Sequence, residues 1–199
     1  GTNSNWIAVR NTINALADAF TGHVMGENHT ISGLRINSTS DYIGFVGFMY
    51  DGASIKDLTF VDAKVNSTGA NVGIAVGRAQ DDTLVENVHI KSSRVSGHDS
   101  VGAVAGRNYS RVGGAQGQGY TEGPAIVRNC STDAATSVNS TGNNAGGIVG
   151  YNYGATITDC ENHADVTGES SVGGIVGYTR DYHHHKDGYI VACASYADA

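Results

Sequence analysis

The sequence predicts an all-β fold, a right-handed parallel β-solenoid of about five to six coils with an N-terminal capping helix. Three observations predict this fold class. The chain of 199 residues contains 28 glycines but one proline, and two short patterns of glycine and apolar residues recur about every 30 residues. Its apolar segments are short, rich in Val, Ile and Thr, and bounded by Gly, Asn, Asp and Ser, which is typical of strands. Right-handed winding is expected because parallel crossovers almost always have that hand.

Residues 1–22 are predicted to form an amphipathic helix that ends at Gly22. Five apolar residues are spaced three or four positions apart and fall on one helical face: Trp6, Val9, Ile13, Leu16 and Phe20. Such a helix would cover the first coil, because the end of a solenoid exposes strand edges.

The solenoid is predicted over residues 23–199 from two recurring patterns. Gly-x-x-x-Gly occurs at 73–77, 102–106, 146–150 and 173–177, with a degenerate copy at 43–47. A pattern that begins with Ile or Val and ends with an apolar residue occurs at 31–34, 55–58, 85–88, 127–130, 157–160 and 190–193. After the first coil, 20 to 23 residues separate the second pattern from the next closing glycine, whereas 7 to 21 separate a closing glycine from the next second pattern. One nearly constant separation and one variable separation together predict stacked coils whose loops leave from one corner. No C-terminal cap is evident, so we expect the repeats to continue beyond Ala199.

The alignment predicts one core column, which contains Leu34, Leu58, Val88, Cys130, Cys160 and Cys193. Because Leu and Val share this column, we interpret the cysteines as buried free thiols that pack as small hydrophobes. A disulfide between neighbouring coils fits a strand spacing of ~4.8 Å, but three thiols cannot all pair. Cysteine-based catalysis is not expected, because no histidine partner can be located in the alignment.

A polar column is predicted beside it, with Asp57, Asn87, Asn129 and Asp159. Asn and Asp at a solenoid corner satisfy the backbone groups of a turn. The alternative is the acid/base pair of a polysaccharide-active β-helix. Asp57 and Asp159 are three coils apart in this alignment, which corresponds to roughly 14 Å.

Three stretches of the chain resemble the GLUG motif: GGIVGYN at 146–152, ATITDCEN at 155–162 and VGGIVGY at 172–178. Residues 20–34 resemble the rung that often precedes such repeats. The resemblance extends over residues 20–196, although Ile43-Gly44, Gly73-Ile74 and Gly102-Ala103 depart from Gly-Gly. It implies a large secreted or surface-anchored bacterial protein, such as an adhesin or the non-catalytic region of an immunoglobulin A metallopeptidase. The motif contains no catalytic residue, so we expect that this chain is not an enzyme.

Tyrosines are expected to gather along one edge of the solenoid. The first residues after the closing glycines form a predicted column of Phe48, Arg78, Arg107, Tyr151 and Tyr178. Two long insertions, 107–126 and 178–189, also follow closing glycines and should leave the same face two coils apart, roughly 10 Å. The candidate ligand-binding residues at this edge are Arg107, Tyr109, Tyr120, Tyr151, Tyr153, Tyr178, Tyr182 and Tyr189. Exposed Tyr beside Arg and Asn suits recognition of a host glycan or host protein. Alternatively, these tyrosines only cover the corner and stack as a ladder between coils.

A run of histidines, His183, His184 and His185, lies in the second insertion beside Asp181. We interpret it as a solvated loop, since adjacent side chains of an extended segment point in alternating directions and cannot all reach one ion. The alternatives are adventitious binding of Zn²⁺ or Ni²⁺ and a dedicated metal site with Asp181 or Asp187 as a fourth ligand. Carboxylates in turns could also bind Ca²⁺ weakly. No cofactor is predicted.

Composition excludes other partners. The formal net charge is −7, whereas binding of nucleic acid needs clustered Lys and Arg, so no nucleic-acid partner is predicted. No apolar run approaches ~18 residues, so no membrane insertion is predicted. Much of the polarity comes from Asn, Ser and Thr, as in extracellular β-rich proteins, and the resemblance implies a cell-surface or secreted location.

The sequence therefore predicts a non-catalytic extracellular module of a bacterial surface protein, an adhesin or stalk with a tyrosine-rich binding edge. The first alternative is an accessory region that positions the substrate of a secreted immunoglobulin A metallopeptidase. The second is a carbohydrate-active β-helix enzyme, which would need two or three carboxylates clustered on one exposed sheet. The alignment places Asp and Glu mainly in turns and loops, which counts against this second alternative.

Overall fold

The computed structural model describes Trp6 and residues 16–110, 123–180 and 189–196. Within these residues the chain is an all-β parallel solenoid of five coils and the beginning of a sixth, which confirms the predicted architecture. The right-handed winding stays a prediction. Each complete coil contributes strands to several sheets that run along the solenoid, so that residues one coil apart lie side by side.

The strands are as follows in chain order. The first coil contains β1 (His23–Ser32), β2 (Arg35–Ser38) and β3 (Val46–Met49). The second contains β4 (Ser54–Val61), β5 (Lys64–Ser67), β6 (Ala70–Gly73) and β7 (Val76–Gln80). The third contains β8 (Leu84–Lys91), β9 (Arg94–Gly97), β10 (Asp99–Gly102) and β11 (Ala105–Tyr109). The fourth contains β12 (Ile126–Arg128), β13 (Ser131–Thr132), β14 (Ser137–Ser140), β15 (Asn143–Gly146) and β16 (Val149–Tyr153). The fifth contains β17 (Thr156–Thr158), β18 (Glu161–Asn162), β19 (Asp165–Thr167), β20 (Ser170–Gly173) and β21 (Val176–Arg180), and the sixth begins with β22 (Ile190–Val191) and β23 (Ala194–Ser195).

The described strands form four sheets, and every strand pairing in them is parallel. Three sheets follow the order β3-β7-β11-β16-β21, β2-β5-β9-β14-β19 and β6-β10-β15-β20. The fourth sheet begins with the long strands β1, β4 and β8. From the fourth coil onward two short strands replace each long one, so that β8 pairs with both β12 and β13.

Left-handed residues turn the chain at corresponding positions of successive coils. In the fourth sheet they are Asp57, Asn87, Asn129, Asp159 and Ala192, with φ between 51° and 54°. Asn and Asp adopt this conformation more readily than most residues. The side-chain amide of Asn87 also donates to Asp57 Oδ1 at 2.7 Å. The polar column therefore lies where the chain turns, as predicted, while the hydrogen bonds seen for its side chains join side chains and not turn backbone.

Close approach of neighbouring coils explains the Gly-x-x-x-Gly pattern. A Cβ atom on the closing glycine Gly106 would lie less than 3.0 Å from backbone atoms of Asn71 and Val72 in the preceding coil. A Cβ atom on the opening glycine Gly102 would meet the carbonyl oxygen of Ala105 and the nitrogen of Gly150. Both glycines are needed because the corner leaves no space for a side chain.

In the copies that begin with Gly-Gly, the second glycine leaves space for a polar side chain that replaces an apolar one in the core. Phe60 and Ile90 are in register with Thr132, and the next coils place Asn162 and then Ser195 at this position. The buried Asn162 amide accepts a hydrogen bond from the Thr132 hydroxyl at 2.6 Å and donates to Ala164 O at 3.1 Å. A Cβ atom on Gly147 would collide with the Asn162 side chain, and one on Gly174 with Ser195. The earlier coils pack Ile74 and Ala103 at this position, which explains their departure from Gly-Gly.

The predicted core column is confirmed for five of its six members, because Leu58, Val88, Cys130, Cys160 and Cys193 are in register. The placement of Leu34 is wrong. Arg35 pairs with Lys64, so Leu34 lies beside Ala63, and the partner of Leu58 is His29. The physical reason is a bulge in β1 between Met25 and His29, with Glu27 and Asn28 in the left-handed region.

The helix predicted over residues 1–22 is absent from the described residues of that range, while residues 1–5 and 7–15 lie outside them. A short 3₁₀ turn, Leu16–Asp18, is present. The chain is then extended, because the amide of Phe20 donates to Phe48 O at 2.8 Å and Tyr50 N donates to Phe20 O at 3.1 Å. Pairing with the first coil thus overrides the helical spacing at this end. Trp6 does cover the first coil, since its ring stacks on Phe45 at 5.2 Å. No helix in the described ranges has the length and apolar character to cross a bilayer.

Candidate functional site

Two columns of aromatic and arginine side chains run along one face of the solenoid, on the sheet β3-β7-β11-β16-β21. We call them together the arginine–tyrosine ladder. Strand register defines the first column as Phe48, Arg78, Arg107, Tyr151 and Tyr178. The second column lies two residues later in each strand and contains Tyr50, Gln80, Tyr109, Tyr153 and Arg180.

The alternation of strand residues directs the ladder side chains away from the inward-facing ones, although Phe48 and Gln80 in the ladder are themselves buried. The residues between the two columns, such as Asn108 and Asn152, are buried. Asn152 Nδ2 donates to Ala155 O at 2.8 Å, and Asn108 Nδ2 donates to Asn152 Oδ1 at 3.2 Å. These inward amides hold the corner where the chain leaves the strand, and they fix the strand ends that carry the ladder.

The tyrosines stack on one another along the solenoid axis. Tyr151 and Tyr178 have ring centroids 5.5 Å apart and planes inclined by 7°, and Tyr109 and Tyr153 are 4.8 Å apart with planes inclined by 18°. The tyrosines therefore stack as a ladder between coils, which both interpretations of this edge allow. Because stacked partners lie one coil apart, the rings present edges and hydroxyl groups to the surface.

Two neighbouring arginines are inserted in this aromatic stack. The Arg78 guanidinium carbon lies 5.2 Å from the Phe48 ring centroid and 4.9 Å from that of Tyr109. The Arg107 guanidinium carbon lies 4.8 Å from the centroids of both Tyr109 and Tyr151. Cations are attracted to the negative faces of aromatic rings, so the ladder holds both guanidinium groups in place.

The electrostatics of this pair are unusual. Burial lowers the pKa of Arg78, the positive charge of Arg107 lowers it further, and a hydrogen bond from Arg78 to Tyr42 acts in the opposite direction. The ion pairs found in the described part of the chain involve Arg35, Lys56, Lys64 and Arg128, and neither Arg78 nor Arg107 has a carboxylate partner there. Burial also raises the pKa of the Tyr151 phenol, while Arg107 and Arg180 lower it. Tyr151 therefore remains a neutral hydrogen-bond donor.

The structure brings together five predicted site residues: Arg107, Tyr109, Tyr151, Tyr153 and Tyr178. Tyr189 lies apart, because its carbonyl accepts from Ile157 N at 2.7 Å on the β17–β22 side of the solenoid. The following predicted residues lie outside the described residues: Tyr120, Tyr182, Asp181, His183, His184, His185 and Asp187. Strands β11 and β21, which precede the two insertions, belong to one sheet with β16 between them, so the insertions leave from the same sheet as predicted.

Arg78 and Tyr42 were not among the predicted site residues. Arg78 follows a closing glycine as Arg107 does, so the alignment already contained its signal. Tyr42 had no such signal. It is held near Arg78 by a left-handed backbone conformation with φ of 59°, at 5.8 Å from its ring centroid to the Arg78 guanidinium carbon.

The cysteines form a column of free thiols, and both Cys130 and Cys160 are fully buried while Cys193 is half-buried. Each sulfur donates to the carbonyl two residues earlier, at 3.2 Å for Cys130 and 3.3 Å for the other two. A hydrogen bond with Cys130 and burial raise the pKa of Cys160, and burial raises that of Cys193. These two thiols are therefore poor nucleophiles.

The polar column does not form an acid/base pair. Asp57 and Asp159 are separated by the strands β8 and β12, and Asn87 occupies the adjacent position. His89 is held by two hydrogen bonds of 2.8 Å, from Nε2 to Asn87 Oδ1 and between Nδ1 and the Ser131 hydroxyl, and burial lowers its pKa. Among the residues that the structure describes, no three His, Cys, Asp or Glu side chains are grouped to hold a metal ion.

Three known proteins or motifs are similar to this chain. The GLUG motif family matches residues 141–167. Halomucin of Haloquadratum walsbyi is 35% identical over 97 residues, which cover 47% of this chain and 1% of Halomucin. A crystal structure of a candidate immunoglobulin A1 protease of Bacteroides ovatus has the same fold, with a TM-score of 0.69 at 19% identity. The match covers 96% of this chain and 64% of that one, so this chain spans a part of both relatives. The chain is therefore a β-solenoid in which residues 141–167 match the GLUG motif.

Proposed function

We propose that this chain is a non-catalytic extracellular module of a bacterial surface or secreted protein, which binds a host glycan or host protein through the arginine–tyrosine ladder. The observation that carries this proposal is the ladder itself: hydroxyl and guanidinium groups aligned coil by coil on one face. Such a module would act as an adhesin or as a stalk with a binding edge.

The rigidity of the scaffold supports a binding role. The ladder residues lie on paired strands, and each ring or guanidinium is held by stacking on its neighbours. Little side-chain entropy is lost when such groups bind a ligand, because their rotamers are already restricted. An extended row of donors also suits a chain-like ligand, whose units can follow the solenoid axis.

The chemistry of the described residues supports a role without catalysis. The polar-column carboxylates are separated by coils, His89 is occupied by two hydrogen bonds, and Cys130 and Cys160 are buried. None of these groups offers a nucleophile beside a base, which hydrolysis by covalent catalysis requires.

A second candidate is an accessory region that positions the substrate of a secreted immunoglobulin A peptidase. It is favoured by the fold match to the Bacteroides ovatus protein, which extends over 96% of this chain. At 19% identity this match concerns the fold, so immunoglobulin A enters as one ligand to be tested.

The experiment is a screen of the purified chain against arrays of glycans and host proteins, including immunoglobulin A. The double variant Tyr109→Ala/Tyr178→Ala removes one stacked ring from each ladder column. The matched control is Tyr189→Ala/Tyr196→Ala, which removes two tyrosines that are 52% and 59% exposed and lie off the ladder. We expect the first variant to lose the binding of the parent and the control to retain it, with both folded by circular dichroism. Loss in the control alone, or no binding by the parent, would contradict the proposal.

A further inference from the structure

Arg78 and Arg107 place two positive charges side by side without a compensating carboxylate among the described residues. They are direct neighbours in the pairing of β7 with β11, so their Cα atoms are separated by one strand spacing of about 4.8 Å. The chain as a whole carries a net charge of −7, so acidic residues are abundant. Two of the described arginines off the ladder, Arg35 and Arg128, have carboxylate partners.

The aromatic residues hold the guanidinium groups but satisfy only part of their hydrogen-bonding capacity, since Arg78 donates to Tyr42. Tyr109 contacts both groups through its ring, at 4.9 Å from Arg78 and 4.8 Å from Arg107. The buried Nε atoms of both arginines have no hydrogen-bond acceptor within the described ranges. Because these Nε atoms are buried, the donors available to a ligand are the terminal Nη groups, which ring stacking leaves at the edge of the guanidinium plane. The pair therefore offers two planar donor groups, fixed one coil apart and lacking anionic acceptors.

The stacking of the tyrosines favours an anionic ligand over a neutral sugar. Neutral sugars are usually bound with a ring face against an open aromatic face. One face of Tyr109 is covered by Tyr153, and one face of Tyr151 is covered by Tyr178. What the ladder presents instead is hydroxyl groups and guanidinium edges. These groups recognise carboxylate or sulfate oxygens through charge-assisted hydrogen bonds, and such an anion has enough oxygens to accept from both arginines.

We infer that Arg78 and Arg107 form an oxyanion site that binds a carboxylate or sulfate group of an acidic glycan. Tyr42 and Tyr151 flank the two arginines, with ring centroids 5.8 Å from the Arg78 guanidinium carbon and 4.8 Å from that of Arg107. The inference rests on the proposed function, because it assigns a ligand chemistry to the same ladder. A nucleic acid is disfavoured, because two arginines in a chain of charge −7 do not form the basic surface that a phosphate backbone needs.

The test is isothermal titration calorimetry on the full chain at low ionic strength with five probes. They are a chondroitin sulfate tetrasaccharide, a hyaluronan tetrasaccharide, neutral chitotetraose, inorganic sulfate and hexaglutamate. The variants are Arg107→Gln, Arg107→Lys and the control Arg128→Gln, which removes the same charge from a residue bound to Glu86 on another sheet. Thermal melting establishes that each variant is folded.

We expect one or both acidic oligosaccharides to bind the parent, and Arg107→Gln to weaken that binding at least about tenfold. The control should bind like the parent. Arg107→Lys keeps the charge but loses the planar fork, so it should bind the acidic oligosaccharides with intermediate affinity. If Arg107→Gln does not fold, Arg107→Lys takes its place in the comparison.

Four outcomes would overturn the inference. If chitotetraose bound as tightly as the acidic oligosaccharides, the proposed function would still hold, but the anionic group would not be needed for binding. Equally tight binding of inorganic sulfate would indicate an anion site without glycan recognition, and tighter binding of hexaglutamate would indicate an acidic protein as partner. Failure of both acidic oligosaccharides to bind would reject the site, whereas the array screen decides the proposed function separately.

Discussion

Replacement of Gly106 with alanine should disrupt the packing of the second coil against the third. The added Cβ would lie less than 3.0 Å from the nitrogen of Val72 and from two backbone carbons of Asn71, whereas ordinary contact begins at 3.4 Å. Backbone atoms cannot rotate away, so the two coils must separate and lengthen the hydrogen bonds of the pairs β6–β10 and β7–β11. Overpacking costs about 1–3 kcal/mol and each weakened hydrogen bond about 1 kcal/mol, so we expect a loss of roughly 3–5 kcal/mol in the free energy of unfolding.

The matched control is Gly33→Ala, since Gly33 has a φ of +72° but no atom within 4 Å of an added Cβ. It should cost only the left-handed conformation of an alanine, about 1–2 kcal/mol. Denaturant titration followed by circular dichroism measures both variants. A loss for Gly106→Ala no larger than that for Gly33→Ala would refute the explanation of the Gly-x-x-x-Gly pattern.

Three further predictions concern titration and reactivity. Burial and the charge of Lys91 hold the pKa of His89 below its ordinary value of 6.5. The unfolded chain therefore binds more protons below pH 6.5, and the free energy of unfolding should fall as the pH decreases through the folded-state pKa. His89→Gln should flatten this part of the curve in denaturant titrations on either side of pH 6.5, and an unchanged curve would contradict the assignment. Ellman's reagent should modify the half-buried Cys193 before the fully buried Cys160, which should react only on unfolding; equal rates would show that the column is open. Arg107→Gln should raise the pKa of Tyr151 further, because it removes a positive neighbour, and a ¹³C NMR titration in which that pKa falls would argue against the contact.

The repeat was predictable because its causes are local to each coil. Gly73, Gly102 and Gly146 recur where backbones approach closely, and Asn87 and Asn129 recur where the chain turns through the left-handed region. A side chain that is required at the same place in every coil leaves a period in the sequence. The period then fixes the register and the columns.

Features of the first coil were less predictable. Ile31 and Leu34 have the spacing of the second pattern, but the bulge in β1 moves the true equivalent to Val24, which pairs with Ile55. A bulge is decided by pairing with the next coil, which the spacing of apolar residues does not report. The same holds for Phe20, whose hydrogen bonds to β3 make it part of a strand-like pairing.

The sequence predicted which residues lie together at the site, but it did not predict how their side chains pack. Strand alternation placed Tyr151 and Tyr178 on one face, whereas the angle between their rings depends on side-chain packing between coils. The pairing of Arg78 with Arg107 follows from register, yet their lack of a carboxylate partner among the described residues emerges only when the neighbouring side chains are in place. Sequence patterns locate the columns, and three-dimensional packing determines which groups remain available to a ligand.

The most direct test of the ladder as a binding surface is an NMR titration of the ¹⁵N-labelled full chain with the chondroitin sulfate tetrasaccharide. The arginine Nε–H signals of Arg78, Arg107 and Arg128 report three sites in one experiment. We expect the signals of Arg78 and Arg107 to shift together and to saturate at one ligand concentration. The signal of Arg128, which is bound to Glu86, should not shift. A shift of Arg128 alone, or no shift of the two ladder arginines, would contradict it.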